Sequence, residues 1–284
     1  MSFLPSLDPR IVLWRNAINL FHEYNRPPFR GPFRAAGFSH VVERTLLTGS
    51  GGKRKPDIVG SGVSGWAVIE LTSNPLSKAE QLASYHDIDP RLLSGVGLHV
   101  HTGSPDMVVA RDVDGDDGPN CQVIFRDTLE VRRSELIANP TLRSELERAQ
   151  GADFSGLPGP SFTLIPESRG LEVRRGIQSH VLQAFAPNSK GTPIFDIVRG
   201  ALDCLFDVVS PDDKIALTDS VRDSLRILVK EHLPIHLELK DDVLRARPEV
   251  NPHPKTLRFV AKAVREWAGE APTASKPLET FGPR

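Results

Sequence analysis

Along residues 8–25, "DPRIVLWRNAINLFHEYN", the apolar positions Ile11, Trp14, Ile18 and Phe21 recur every three or four residues. That period predicts an amphipathic helix with Asp8 as its cap and Pro9 at its first position. Prolines 27, 28 and 32 then forbid continuation, because each lacks a backbone donor and biases the residue before it away from helix. A second short helix is expected over "SHVVERTLL", with Ser39 as its cap. From there to about residue 127 the pattern changes to strands. "PDIVG" and "GWAVIELT" read as two strands joined by the turn "GSGVSG", a helix is expected from Pro75 to about His86, and "VGLHVHTG", "DMVVARDV" and "CQVIFRD" read as further strands. A helix follows over "NPTLRSELERAQ", capped by Asn139 with Pro140 behind it.

This order, strand, strand, helix, strand, predicts an α/β (α+β) sheet flanked by helices over residues 1–153. Residues 154–170 are rich in glycine and proline and mark a boundary. Beyond it the three-to-four residue period returns in "LEVRRGIQSHVLQAFA", "PIFDIVRGALDCLFDVV", "TDSVRDSLRILVKEHL" and "PKTLRFVAKAVREWA". "IHLELKDDVLRARP" alternates about a Lys-Asp-Asp turn and predicts a hairpin. Residues 171–268 are therefore expected to form a mainly helical domain compatible with a winged-helix-like module, and residues 269–284 a disordered tail.

Charge narrows the possible partners. The chain has 35 basic and 36 acidic residues, a net charge of −1, so any contact with a polyanion must be a local patch. Residues 26–55 supply one, with seven basic residues against Glu43 alone. Arg30, Arg34, Lys53, Arg54 and Lys55 are the candidate nucleic-acid contacts, and Phe29 and Phe33 lie among them either to stack on bases or to pin the loop to the core. Two cysteines without metal-ligand spacing, no leader-like start and no long apolar run point to a reducing, cytoplasmic location with no membrane partner.

The candidate chemistry lies in "KRKPDIVGSGVSGWAVIELTSNPLSKAEQLASY", residues 53–85. Alternate residues of a strand share a face, so Glu70 and Thr72 are neighbours on one surface. If the Asp57 strand pairs across the turn, its carboxylate converges on Glu70 and offers hard oxygen ligands to Mg²⁺ or Mn²⁺. The pair Pro56-Asp57 and the run Glu70-Leu71-Thr72 resemble the motif of the PD-(D/E)XK nuclease superfamily, with threonine at the lysine position. The resemblance spans about residues 38–110 and implies a restriction-endonuclease-like fold and a divalent-metal-dependent nuclease acting in DNA processing or defence. It implies metal ligands at Asp57 and Glu70, an auxiliary acid at Glu43 on the helix before the hairpin, and a positioning role for Gln81 on the helix that also carries Tyr85. Lys78, three residues before Gln81, is the candidate for the displaced cation.

Two alternatives stay open. One is a catalytically degenerate subunit of this fold that binds nucleic acid, a protein partner or a second copy of itself. The other is a DNA-binding regulator acting through the C-terminal domain. His99 and His101 share a strand face without a third metal ligand and are read as structural.

Overall fold

The computed structural model describes residues 9–25, 28–72, 79–113, 118–154, 157, 161–185, 189–250 and 253–269. Contacts divide the chain into two compact units. The first holds the described residues up to Pro166 together with Leu202–Lys214; the second holds Glu167–Ala201 and the described residues from Ile215 onward. The expected cap Asp8, the candidate cation Lys78 and the proposed tail beyond Gly269 lie outside the described residues.

The first unit is built on a six-stranded mixed sheet flanked by helices. From edge to edge its strands are Leu129–Arg132, Cys121–Phe125, Asp106–Arg111, Gly65–Leu71, Ile58–Gly62 and Ser39–Val42. The three central strands run parallel, and the outer pairings are antiparallel. Ile58–Gly62, Asp106–Arg111 and Cys121–Phe125 are buried along their whole length, as strands covered on both faces must be. One face presents Val59, Trp66, Val68 and Val109 to Leu82, Tyr85 and Leu93. The helix Pro9–Asn19 packs against the central strands and buries Trp14 and Ile18. Each such side chain contributes about 1.5–3 kcal/mol relative to exposure.

The strands "PDIVG" and "GWAVIELT" are present as Ile58–Gly62 and Gly65–Leu71, and the cap at Asn139 accepts from the Thr141 and Leu142 amides at 3.0 and 3.1 Å. Three expectations are corrected. The first helix stops at Asn19, and Glu23–Asn25 is a strand paired with Pro28–Arg30. "SHVV" is an edge strand instead of a helix, because Val41 and Val42 pair with Val59 and Ile58 and thereby satisfy their backbone in the sheet. Glu43 consequently follows a strand, with φ +50°, and does not ride on a helix. "VGLHVHTG" forms no strand: Pro90–Val96 is a 3₁₀ helix ended by Gly97 at φ +81°. The segment beyond is tied to the sheet by Trp66 Nε1 donating to Gly103 O at 2.8 Å and by Ser61 Oγ against His101 Nε2 at 3.0 Å. The strand Leu129–Arg132 has no counterpart among the expected elements.

In the second unit, helices Leu171–Gln183 and Pro254–Trp267 pack together, and Trp267, Val260 and Val264 are buried. The hairpin expected about Lys-Asp-Asp is Leu237–Lys240 with Val243–Ala246, turned through Asp241 and Asp242 at φ +53° and +56°. Aspartate tolerates that left-handed conformation better than a branched residue would. Thr192–Pro193 adds a third strand, giving the order Thr192–Pro193, Val243–Ala246, Leu237–Lys240. No helix of the described residues is long and apolar enough to cross a membrane.

Candidate metal centre

Sheet register assembles the candidate residues. Val42 pairs with Ile58 and Ile58 with Ile69, so Glu43, Asp57 and Glu70 fall in one transverse row at the end of three adjacent strands. Directly paired residues point to the same face. The backbone closes the row: Glu43 N donates to Asp57 O at 2.9 Å, Asp57 N to Glu70 Oε1 at 3.3 Å, and Leu71 N to Asp57 Oδ2 at 2.7 Å. Carboxylate oxygens of Glu43 and Asp57 lie within 4.8 Å of each other.

Glu70 is fully buried. Besides the Asp57 amide, its Oε1 accepts from the Tyr85 hydroxyl at 2.5 Å and its Oε2 from Gln81 Nε2 at 3.3 Å. Gln81 Nε2 also donates to the Tyr85 oxygen at 2.6 Å. Gln81 and Tyr85 are four apart, and on a helix that spacing puts both side chains over Glu70. Burial first, and then the Glu70 carboxylate, push the Tyr85 phenol well above its ordinary range, so it stays a neutral donor. Gln81 thus lies against Glu70, with Tyr85 as its companion.

The basic candidates separate. Lys55 Nζ lies 2.8 Å from Glu43 Oε2 and 2.9 Å from Asp213 Oδ1. Burial alone would lower this ammonium's pKa, but hydrogen bonds to Glu43 and Asp213 raise it on balance. Arg54 Nε donates to Ser84 Oγ at 2.7 Å, and Arg30 faces Glu23 at 3.7 Å. Arg34 and Lys53 are exposed. Phe33 is fully buried against Phe21, with ring centroids 4.7 Å apart, and Phe29 packs on Phe154 at 5.1 Å. Both rings are engaged in packing.

Sequence reasoning missed two groups. Asp213, 158 residues from Lys55, has no local signal at all. Arg111 is the other. Leu71 pairs with Ala110 in parallel register and the Thr72 amide continues the ladder to Ala110 O at 3.1 Å, so Arg111 stands beside Thr72 on the same face. The position that carries threonine therefore has a guanidinium on the next strand. The polar residue closing an otherwise apolar run, "DMVVAR", was its only sequence trace.

Lys55→Met is expected to lower stability by about 1–3 kcal/mol, less than the loss of a fully buried partner because the ammonium is 41% exposed. Since the lysine's folded pKa is raised, its contribution is complete at neutral pH and is lost as pH climbs through the raised value. Chemical denaturation at neutral and strongly alkaline pH reads both: a wild-type advantage over the variant that did not shrink in alkali would remove the ion pair from the account.

Comparison with protein-family models, with curated proteins and with solved structures finds no match.

Proposed function

We propose that the first unit has a restriction-endonuclease-like fold and that the chain is a divalent-metal-dependent nuclease hydrolysing nucleic-acid phosphodiester bonds, with DNA as substrate. The observation that carries the reading is the row Glu43, Asp57, Glu70 at the end of a β-hairpin, with Glu43 and Asp57 oxygens within 4.8 Å. Hard carboxylate oxygens brought this close repel one another; the Lys55 ammonium offsets part of that charge at Glu43, and the oxygens suit Mg²⁺ or Mn²⁺. Asp57 and Glu43 would hold the ion, while Glu70, whose two oxygens already accept hydrogen bonds, stands next to them in the row. A divalent cation bound there would make a water more acidic and neutralise charge on a phosphate oxygen.

The chain's own residues supply the remainder. Tyr85 and Gln81 hold Glu70 in one rotamer, and Glu70 in turn accepts from the Asp57 amide, which fixes the loop carrying that carboxylate. Lys55 offsets charge at Glu43 and Asp213 together. Arg111, beside Thr72 in the sheet register and fully buried, is the candidate for the cationic role of the family's lysine, which is to offset negative charge developing on the phosphate.

The test is calorimetry with Mn²⁺ and a cleavage assay on duplex and single-stranded DNA. Wild type is expected to bind the ion and cut, and Asp57→Asn to weaken the ion at least tenfold, about 1.4 kcal/mol, and to abolish cutting. Wild-type affinity for Mn²⁺ that is absent, or unchanged in Asp57→Asn, would overturn the proposal.

One observation favours a second reading. Glu70 is wholly buried with both oxygens already accepting, and Thr72 stands where the family has its lysine. On that reading the fold is kept as a binding subunit without catalysis, and ion binding without cutting is its signature.

A further inference from the structure

We propose that the outward face of the helix Pro254–Trp267, in the second unit, is a docking surface for the phosphate backbone of nucleic acid. Lys255, Arg258, Lys262 and Arg265 are all exposed on it. Their spacings of three, four and three place them within an arc of about 80° at 3.6 residues per turn. The arc is centred opposite the buried Val260, Val264 and Trp267. The apolar side therefore seats the helix, and the cations point away from its support. Lys262 faces Glu266 at 3.7 Å. Lys255, Arg258 and Arg265 have no ion-pair partner among the described residues.

Four cations over ten residues of helix span about 15 Å, the axial length of four or five successive phosphates of one strand at about 3.4 Å each. Phe259, 52% exposed, stands beside Lys255 and Lys262; its ring packs against His236 with centroids 5.0 Å apart and leaves its exposed side to an unstacked base. A single aromatic among cations is too little apolar surface to insert into a lipid headgroup layer, which separates this face from an interfacial membrane helix.

A second charged helix is a poorer candidate. On the helix Pro211–Ile227 the two arginines are already clamped: Arg222 binds Asp219 and, at 2.8 Å, Asp242, while Arg226 lies 3.1 Å from Asp223. That face presents neutralised pairs, and a phosphate would have to displace an internal carboxylate at each one. The DNA-contacting role that helix-turn-helix modules give to such a helix therefore falls here to the C-terminal helix.

Binding at this face needs no metal and no cleavage, so it stands apart from the metal-centre reading. The experiment is fluorescence anisotropy of the full chain with a labelled DNA duplex and a labelled single strand in EDTA, across a salt series. Wild type is expected to bind with log Kobs falling against log salt at a slope of about −3, the value for four cations less one offset by Glu266. The combined variant Lys255→Glu, Arg258→Glu, Lys262→Glu, Arg265→Glu should lose at least about tenfold in affinity at low salt and most of the slope. The corresponding glutamine variant, which adds no repulsion, should lose the slope to the same extent. Equal affinity and slope in wild type and both variants, or no wild-type binding to either DNA, overturns the proposal, as does stripe-dependent binding seen only with phosphatidylserine vesicles. DNA binding that depends on the stripe, together with absent Mn²⁺ affinity, would overturn the metal centre and leave this surface standing.

Discussion

Glu70→Ala is expected to lower the stability of the first unit by about 3–5 kcal/mol. The substitution removes the shared acceptor of three donors, the Asp57 amide, the Gln81 side chain and the Tyr85 hydroxyl, from a site with no solvent access. Each buried donor left without an acceptor costs about 1–3 kcal/mol. Relief of repulsion between Glu70 and the Asp57 carboxylate offsets part of the total. Glu70→Gln is the sharper probe. It preserves volume but turns an amide N–H toward groups that are themselves donors, so it too should destabilise, whereas a carboxylate held merely as an exposed surface group would tolerate it. The measurement is urea denaturation followed by Trp66 and Trp14 fluorescence, both in the first unit, because the chain comprises two units and a single whole-chain transition is not assured. A loss below about 1 kcal/mol for both variants would mean the three bonds are not formed, and the row would lose its rigid base.

Gly31→Ala is expected to cost about 3 kcal/mol or more, a large effect for one added methyl group. The reason is a close approach, since the Gly31 backbone at φ −59° is ordinary. A Cβ there would lie 2.3 Å from Leu20 O and 2.4 Å from Asn19 O and the Leu20 carbonyl carbon. These are backbone atoms and cannot rotate aside. They are also held: Gly31 N donates to His22 O at 2.8 Å, and Phe33 N donates to Leu20 O at 3.0 Å. Accommodating the methyl must move the end of the first helix or the Pro32–Ala35 turn, and either displaces Phe33 from its contact with Phe21. A thermal midpoint of Gly31→Ala within a degree or two of wild type would refute the close approach.

These two sites were unequally legible beforehand. Glu70 announced itself as a lone acid at the end of an apolar strand, and its companions Gln81 and Tyr85 by their spacing of four. Gly31 sat in a proline-rich run whose only reading was that helix stops there. The difference is one of range. A strand's alternation and a helix's period are local, so they can be read from neighbours, while the fit of Gly31 beneath Leu20 depends on a chain reversal that no short window encodes.

The same division holds for the site. Asp57, Glu70 and Thr72 could be placed relative to one another from the hairpin alone, because two residues of turn set the register of Ile58–Gly62 against Gly65–Leu71. Glu43 could not: "SHVVERTLL" carries a helical cap signal and helical spacing, and only the unfilled edge of the Ile58–Gly62 strand made extended pairing the better use of its backbone. Lys55 resembled one more arginine or lysine of a basic loop, and its placement on Glu43 and Asp213 required the chain to return after more than 150 residues. Arg111 needed the parallel pairing of Gly65–Leu71 with Asp106–Arg111, a crossover whose register is set by packing on both faces of the sheet.

By itself, then, the order of residues determined which segments are helix and strand where their periods are strong, the cap at Asn139, the Lys-Asp-Asp hairpin, and the neighbouring placement of Asp57 and Glu70 in the central hairpin. Only the tertiary structure decided that residues 39–42 extend the sheet, that Phe29 and Phe33 serve the core, that the Lys55 ammonium sits on Glu43, that a buried arginine stands beside Thr72 on the next strand, and that four cations share one open helix face while the arginines of another helix are spent on aspartates. Local periodicity records what each segment must bury, whereas the partner that covers it, and so the charge left free for a ligand, is settled by long-range pairing.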